Sequence, residues 1–211
     1  MSKIDAIREH YEHRIRPGRQ NFDVLDWASE ASQRKRFEVL VDHVPLAGRS
    51  LLDVGCGLGD LAAFLAERSI DVDYTGVDVL EPMVAACRRR FADLRFVRAD
   101  VFAGEPAGAE TFDVVFASGI FNLCLGNNLA FLGRGVRRML ELSSDTVVFN
   151  LLHVRSPQKE DDYFFYDPND VLGLLPADAG EVRVLDDYLP NDFTVICRKR
   201  PAGPATPSAS P

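Results

Sequence analysis

The chain has 211 residues, 46% of them hydrophobic and 27% charged, with a formal net charge of −8. That is enough length for one domain with a sizeable core, at a composition ordinary for a globular protein. The acidic balance argues against a large nucleic-acid footprint, which needs an excess of Lys and Arg on one face. No apolar run approaches the roughly 18–20 residues that cross a bilayer.

The opening residues, "MSKIDAIREHYEHRIR", are charged from the third position and lack the apolar core of a signal peptide, so a cytoplasmic location is expected. Residues 1–45 read as a polar, helical lid or cap. Phe37, Leu40, Val41 and Val44 mark one helix face, with Ser29 or Ser32 as N-cap. Between these helices "RPGRQNFDVLDW" carries Pro17 and Gly18 and reads as a loop. From residue 50 the period changes. "SLLDV" is a strand, "DLAAFLAER" a helix, and "VDYTGVD" a second strand ending in Asp78. "EPMVAACRRRF" is a helix with Pro82 in its first turn, and "LRFVRAD" a third strand ending in Asp100. "TFDVVFAS" is the fourth strand, a helix runs from Asn128 to Leu142, and "DTVVFNLL" is the fifth strand. A further helix starts after Pro168. "EVRVLDDY" and "FTVICRKR" then form two strands around a short turn at Pro190 and Asn191.

Alternating strands and helices predict βαβ units, a mostly parallel sheet and right-handed crossovers. The last two strands leave no room for a helix and must pair as an antiparallel hairpin. The expected architecture is a single α/β domain over residues 46–200, with a seven-stranded sheet and helices on both faces. The tail "PAGPATPSASP", residues 201–211, reads as disordered. Cys56, Cys87, Cys124 and Cys197 form no CxxC pair and lie at no zinc-ligand spacing to a histidine. They read as reduced core residues, and no metal is expected. The basic clusters at residues 88–90 and 198–200, and at Arg134, Arg137 and Arg138, read as solvated helix faces and ends.

The chemistry is concentrated in "LLDVGCGLGDL", residues 51–61. Gly55, Gly57 and Gly59 follow a strand, where a side chain would collide with a ligand or forbid a φ > 0 turn. The dinucleotide fingerprint G-x-G-x-x-G matches at the first two glycines only. The third comes one residue early, and Asp60 stands where a pyrophosphate would meet the helix N-terminus. An acid there has the wrong charge for a phosphate and the right one for a cation, and Asp53 points the same way. Asp78, 23 residues after Gly55, is placed to accept hydrogen bonds from ribose hydroxyls, and Asp100 to take the exocyclic amine of an adenine. The implied ligand is an adenosine carrying a cationic, amino-acid-like attachment and no phosphate.

This stretch resembles motif I of the class I S-adenosylmethionine-dependent methyltransferases. "YTGVDV", "FVRADVF" and "FDVVFASGIFNL" resemble motifs II, III and IV in order and spacing. The resemblance covers about residues 45–200 and implies a Rossmann-like sheet with a final hairpin. Carried over, it puts Gly55, Gly57 and Gly59 around the methionine moiety and Asp53 near its ammonium. Asp78 and Val79 fall at the ribose, Asp100 and Val101 at the adenine, and Ser118 and Gly119 near the sulfonium and the acceptor. The cofactor implied is S-adenosylmethionine, with S-adenosylhomocysteine as product.

Methyl transfer from a sulfonium is an in-line displacement, so the protein contributes mainly alignment and desolvation. The D/N-P-P-Y/F signature of amino-directed DNA methyltransferases is replaced here by "ASGIFN". His153, just past the fifth strand, is the general-base candidate by position and intrinsic pKa. Arg155 is placed to bind an acceptor's carboxylate or phosphate, or is an ordinary loop arginine. Asn122 could orient an acceptor or bond its own loop backbone. Of the aromatics in "EDDYFFYDP", Tyr163 and Tyr166 are candidate pocket walls, at least two of the four being expected in the core. Trp27 belongs to the segment, with Tyr11, Gln33 and Arg36, where such enzymes place a lid. The reading is a methyltransferase of small molecules. Beside it stand an RNA or protein methyltransferase, a non-catalytic S-adenosylmethionine-binding partner, and a nucleotide-dependent oxidoreductase, which Asp60 and the early glycine disfavour.

Overall fold

The computed structural model describes residues 3–16, 18–107, 109 and 111–200; the Pro-rich tail lies outside them. Among these residues, helices α1 (Lys3–Glu12), α2 (Asn21–Val24) and α3 (Glu30–His43) precede the sheet. Strand β1 (Ser50–Val54) leads to α4 (Asp60–Glu67), β2 (Asp73–Asp78), α5 (Glu81–Arg90) and β3 (Arg95–Arg98). After a 3₁₀ turn (Val101–Ala103) come β4 (Phe112–Ser118), α6 (Asn128–Leu142) and β5 (Ser143–Leu152). Helix α7 (Pro168–Leu174), a second 3₁₀ turn (Ala177–Ala179), β6 (Glu181–Leu185) and β7 (Asp192–Arg198) close the chain.

The strand order is β3-β2-β1-β4-β5-β7-β6. All pairings are parallel except those of β7, which runs antiparallel to both β5 and β6. The final hairpin thus inserts its second strand beside β5 and leaves β6 at the edge. Successive strand residues point to opposite faces, and the buried residues sort accordingly. Leu51, Val114, Phe116, Val148 and Ile196 pack with α3, α4 and α5. Leu52, Val115, Val147, Phe149 and Val195 pack with α6 and α7.

Helix α3 begins at Ser29, whose hydroxyl accepts from Ser32 N (3.1 Å) while the Ser32 hydroxyl accepts from Ser29 N (3.3 Å). This reciprocal cap satisfies two otherwise orphaned amides. Phe37, Leu40 and Val44 then bury α3 in the sheet core. The predicted cap of residues 1–45 therefore divides: α3 is part of the domain's helical layer, and only α1, α2 and the turn after α2 lie over the strand ends.

The Arg36 guanidinium and the Asp192 carboxylate form an ion pair between α3 and β7, 2% and 0% exposed. Tyr188 donates to the second carboxylate oxygen at 2.5 Å. On its other side Arg36 stacks over the Trp27 ring at 4.4 Å, so the pair also sets the position of Trp27. Breaking a buried pair from one side leaves an uncompensated charge, which costs far more than the pair itself contributes. Asp192→Asn is expected to lower unfolding stability by about 3–5 kcal/mol, measured as a shifted denaturant midpoint at unchanged slope.

Candidate functional site

Strand order reverses between β1 and β4, since β2 and β3 lie to one side and β5 to the other. Ligands of open α/β sheets bind beyond the strand ends at such a point. A cavity of about 350 Å³ lies there, within the size range of small-molecule sites, about 300–1,000 Å³. Its floor is built at the ends of four strands: Asp53 and Gly55 at the end of β1, Asp78 and Val79 at the end of β2, Asp100 and Val101 past β3, Ser118 and Gly119 at the end of β4. The roof is α1, whose Ile4, Ile7 and Tyr11 share one face at helical spacing. Leu25, Asp26 and Trp27 close one side, and Asn122, Leu123 and Tyr163 another.

Gly55 holds a left-handed φ of +77°, and a Cβ there would collide with Ile120. Gly119, at φ +78°, would bring a Cβ to 2.6 Å from the Trp27 ring. Both turns need glycine, for backbone conformation and for space. Asp78 joins the glycine turn to the start of α5: Oδ2 accepts from Gly57 N (3.0 Å) and Oδ1 from Leu80 N (2.9 Å). A carboxylate offers about four acceptor sites, so capacity remains on the cavity side. Burial pushes the Asp78 pKa up, and these amide bonds hold it back.

Asp53 is 3% exposed. It accepts a hydrogen bond from the Tyr74 hydroxyl at 2.6 Å. Burial drives its pKa up to about 7, and the Tyr74 bond restrains it. Among the described residues no Lys, Arg or His pairs with it. Asp100 lies two residues beyond β3 and not at its end. Its Oδ1 caps the 3₁₀ turn, accepting from Phe102 N (3.0 Å) and Ala103 N (3.1 Å), which leaves the second oxygen for a ligand.

Asp60 also lines the cavity, but its charge is engaged within the protein. It accepts from Asn21 (2.5 Å), Gln33 (3.1 Å) and Arg90 (3.1 Å), and so anchors α2 and α3 to the start of α4. Gly59 is off the cavity wall. It starts α4 in a left-handed conformation, and a Cβ there would sit 2.8 Å from Phe91 and 3.3 Å from Cys87 Sγ, so its glycine serves packing against α5 and the residue after it.

Three other residues expected at the site lie elsewhere. His153 packs edge-on against Phe193 at 5.3 Å and accepts from Arg155 N at 3.1 Å. Its pKa is lowered, first by burial and then by Arg155. The ring belongs to the β5–β7 side and does not reach the cavity. Arg155 pairs with Asp186 at 2.9 Å on the surface. The Tyr166 hydroxyl donates to Phe121 O at 2.7 Å in the core, and burial pushes its pKa up to about 12. The loop that carries both tyrosines turns Tyr163 to the cavity and Tyr166 inward.

Sequence reading missed three contributors. Asn150, near the C-terminal end of β5, accepts from Gly119 N (3.2 Å) and donates to Ser118 Oγ (3.1 Å), pinning the turn after β4. A fully buried Asn in an apolar strand was the available signal. Ile120 covers Gly55. Asp26, at φ +59°, accepts from Arg14 (2.6 Å), His10 (2.9 Å) and the Tyr163 hydroxyl.

Five carboxylates line the cavity; Asp26 and Asp60 are paired within the protein by Arg14 and Arg90, which leaves Asp53, Asp78 and Asp100 against Lys3 and Arg134, the only cations on its wall among the described residues. Such a floor suits a ligand with a positive charge and hydroxyls, between apolar walls such as Leu80, Met83 and Phe102, and repels a pyrophosphate. The comparisons agree. A family model described as a methyltransferase domain matches residues 51–142. A Mycobacterium tuberculosis protein described as a methyltransferase is 31% identical over 157 residues, covering 71% of this chain and 93% of that one. Trans-aconitate 2-methyltransferase of Delftia acidovorans is 34% identical over 103 residues, 45% of this chain and 38% of that enzyme. Magnesium protoporphyrin IX methyltransferase of Synechocystis, solved with bound S-adenosylmethionine, superposes with a TM-score of 0.69 at 15% identity, over 95% of this chain and 98% of that one. The chain belongs to the class I S-adenosylmethionine-dependent methyltransferases.

An unpaired buried carboxyl whose folded pKa exceeds its unfolded value of 3.8 destabilises the fold only when it ionises. The effect is absent below about pH 4 and complete above about pH 7. Asp53→Asn keeps an acceptor for Tyr74 and removes the charge. Its stability is expected to match wild type near pH 4 and to exceed it progressively towards pH 8, by up to a few kcal/mol at about 1.4 per pKa unit. Parallel denaturant titrations across that range measure it.

Proposed function

We propose that the enzyme methylates a small molecule bound at the Ser118–Tyr163 end of the cavity. The observation that carries this reading is the lining of the cavity beyond the strand ends. Beyond Ser118 and Gly119 the space is bounded by Trp27, Asn122, Leu123 and Tyr163 with α1 above it, a recess on the scale of a metabolite. The trans-aconitate relative acts on a small acid, as its name says, which supports the same class.

In this reading Asp78 and Val79 hold the ribose, Asp100 and Val101 the adenine edge, and Gly55 and Gly57 admit the methionine moiety. Asp53 supplies the counter-charge to its ammonium, which relieves the penalty of an ionised carboxylate without a partner. S-adenosylmethionine brings the methyl on a sulfonium, already activated. The chain's residues exclude water and align the acceptor, worth several kcal/mol through effective molarity. The covering segment, α1 through Trp27, serves as the lid. Asp60 moors its α2 end through Asn21. His153 has no part in the reaction.

The test is a methyl-transfer screen with labelled S-adenosylmethionine over separate metabolite, RNA and protein pools. Label is expected in the metabolite pool alone. It should be strongly reduced by Asp78→Ala, whose affinity for S-adenosylhomocysteine falls by about 1–3 kcal/mol in calorimetry. Label confined to RNA or protein would overturn the proposal.

A further inference from the structure

The acceptor end of the cavity contains a polar cluster that holds α1 in place and also presents a hydroxyl to the space beyond Ser118. Asp26 sits in a left-handed backbone conformation, φ +59°, which is uncommon outside glycine and costs energy. Its carboxylate joins three segments. Arg14 (2.6 Å) and His10 (2.9 Å) reach it from α1 and the residues just after, and Tyr163 donates its hydroxyl from the loop after β5. Leu123 and Tyr163 form a β-bridge, and Phe164 N donates to Asn122 O at 2.8 Å. These contacts tie the Tyr163 loop to the turn that follows Ser118 and Gly119. Tyr163, Asp26 and Asn122 all face the cavity.

A tyrosine hydroxyl has one proton to donate and lone pairs to accept with. Here the proton is committed to Asp26, so the oxygen can meet a ligand only as an acceptor. Burial, followed by the Asp26 carboxylate, pushes the Tyr163 pKa far up, which keeps the phenol protonated and excludes it as a general base. The hydroxyl is partly buried and lines the cavity, so a bound ligand that displaces water from it has to supply a donor in the water's place.

We propose that Tyr163, aligned by Asp26, positions the methyl acceptor by taking a hydrogen bond from its N–H or O–H, and that the acceptor is therefore a protic nitrogen or oxygen nucleophile. The proposal rests on the small-molecule reading above. In the transfer the acceptor's lone pair forms the bond to the methyl carbon and the displaced electron pair stays on sulfur. The N–H or O–H proton then passes to water. A carbon or thioether nucleophile offers Tyr163 no hydrogen and leaves its oxygen unpaired.

The experiment takes the metabolite labelled by the wild-type enzyme and locates the new methyl by NMR, a readout that needs no variant. Attachment to an amine, amide or hydroxyl is expected; attachment to carbon, to sulfur or to a carboxylate oxygen, which carries no hydrogen, overturns the proposal and leaves the small-molecule reading intact. Label only in RNA or protein overturns both. Tyr163→Phe keeps the ring and removes the acceptor oxygen. It is expected to weaken binding of that metabolite to the enzyme–S-adenosylhomocysteine complex, and to lower kcat/KM for it, by on the order of ten- to a hundredfold. Its affinity for S-adenosylhomocysteine should be unchanged. Wild-type acceptor binding and kcat/KM in Tyr163→Phe would also overturn the proposal.

Discussion

Two backbone amides, of Gly57 and Leu80, converge on the carboxylate of Asp78, and the rest of the site is arranged around that junction. The first amide comes from the glycine turn after β1 and the second from the start of α5. Asp78 therefore locks together two loops that meet only beyond the strand ends. With Gly57 fixed, Gly55 and Gly57 hold left-handed conformations that bring bare backbone to the cavity. With Leu80 fixed, α5 presents Leu80 and Met83 as an apolar wall. The same carboxylate keeps acceptor capacity for a ligand, so scaffold and binding chemistry share one group.

The second constraint is charge. Asp53 is buried without a cationic partner among the described residues and is held only by Tyr74. Such a carboxyl keeps its proton more readily than usual, and a ligand that brings a positive charge favours its ionised form. Above it lies a helix of ten residues with no buried residue of its own. Isolated helices of that length are marginal, so α1 depends on what its inner face covers and on the bonds that Asp26 makes to His10 and Arg14. A roof held this way is coupled to the contents of the cavity.

Much of this was legible in the residues. Helix α6 and strand β1 run over the expected spans, and Ser29 caps α3, because each is specified by local pattern and local hydrogen bonding. The acids at the strand ends were legible for the same reason: strand periodicity and the βαβ plan place them together. What failed depends on the path of irregular chain. His153 sits one residue past β5, yet the chain there turns its ring onto Phe193. Tyr163 and Tyr166 are three residues apart in one loop and face opposite ways. Asp60 has the charge expected of a ligand group, but Asn21, Gln33 and Arg90, 27 to 39 residues distant, claim it. Asp26 had no local signature, since its importance lies in partners as far away as Tyr163.

The most direct measurement is a crystal structure of the complex with S-adenosylhomocysteine. The ribose is expected on Asp78, the amino group beside Asp53, and the sulfur facing the space between Gly119 and Tyr163, with α1 closed above. A product bound elsewhere, or bound with its ribose away from Asp78, would contradict this account of the site.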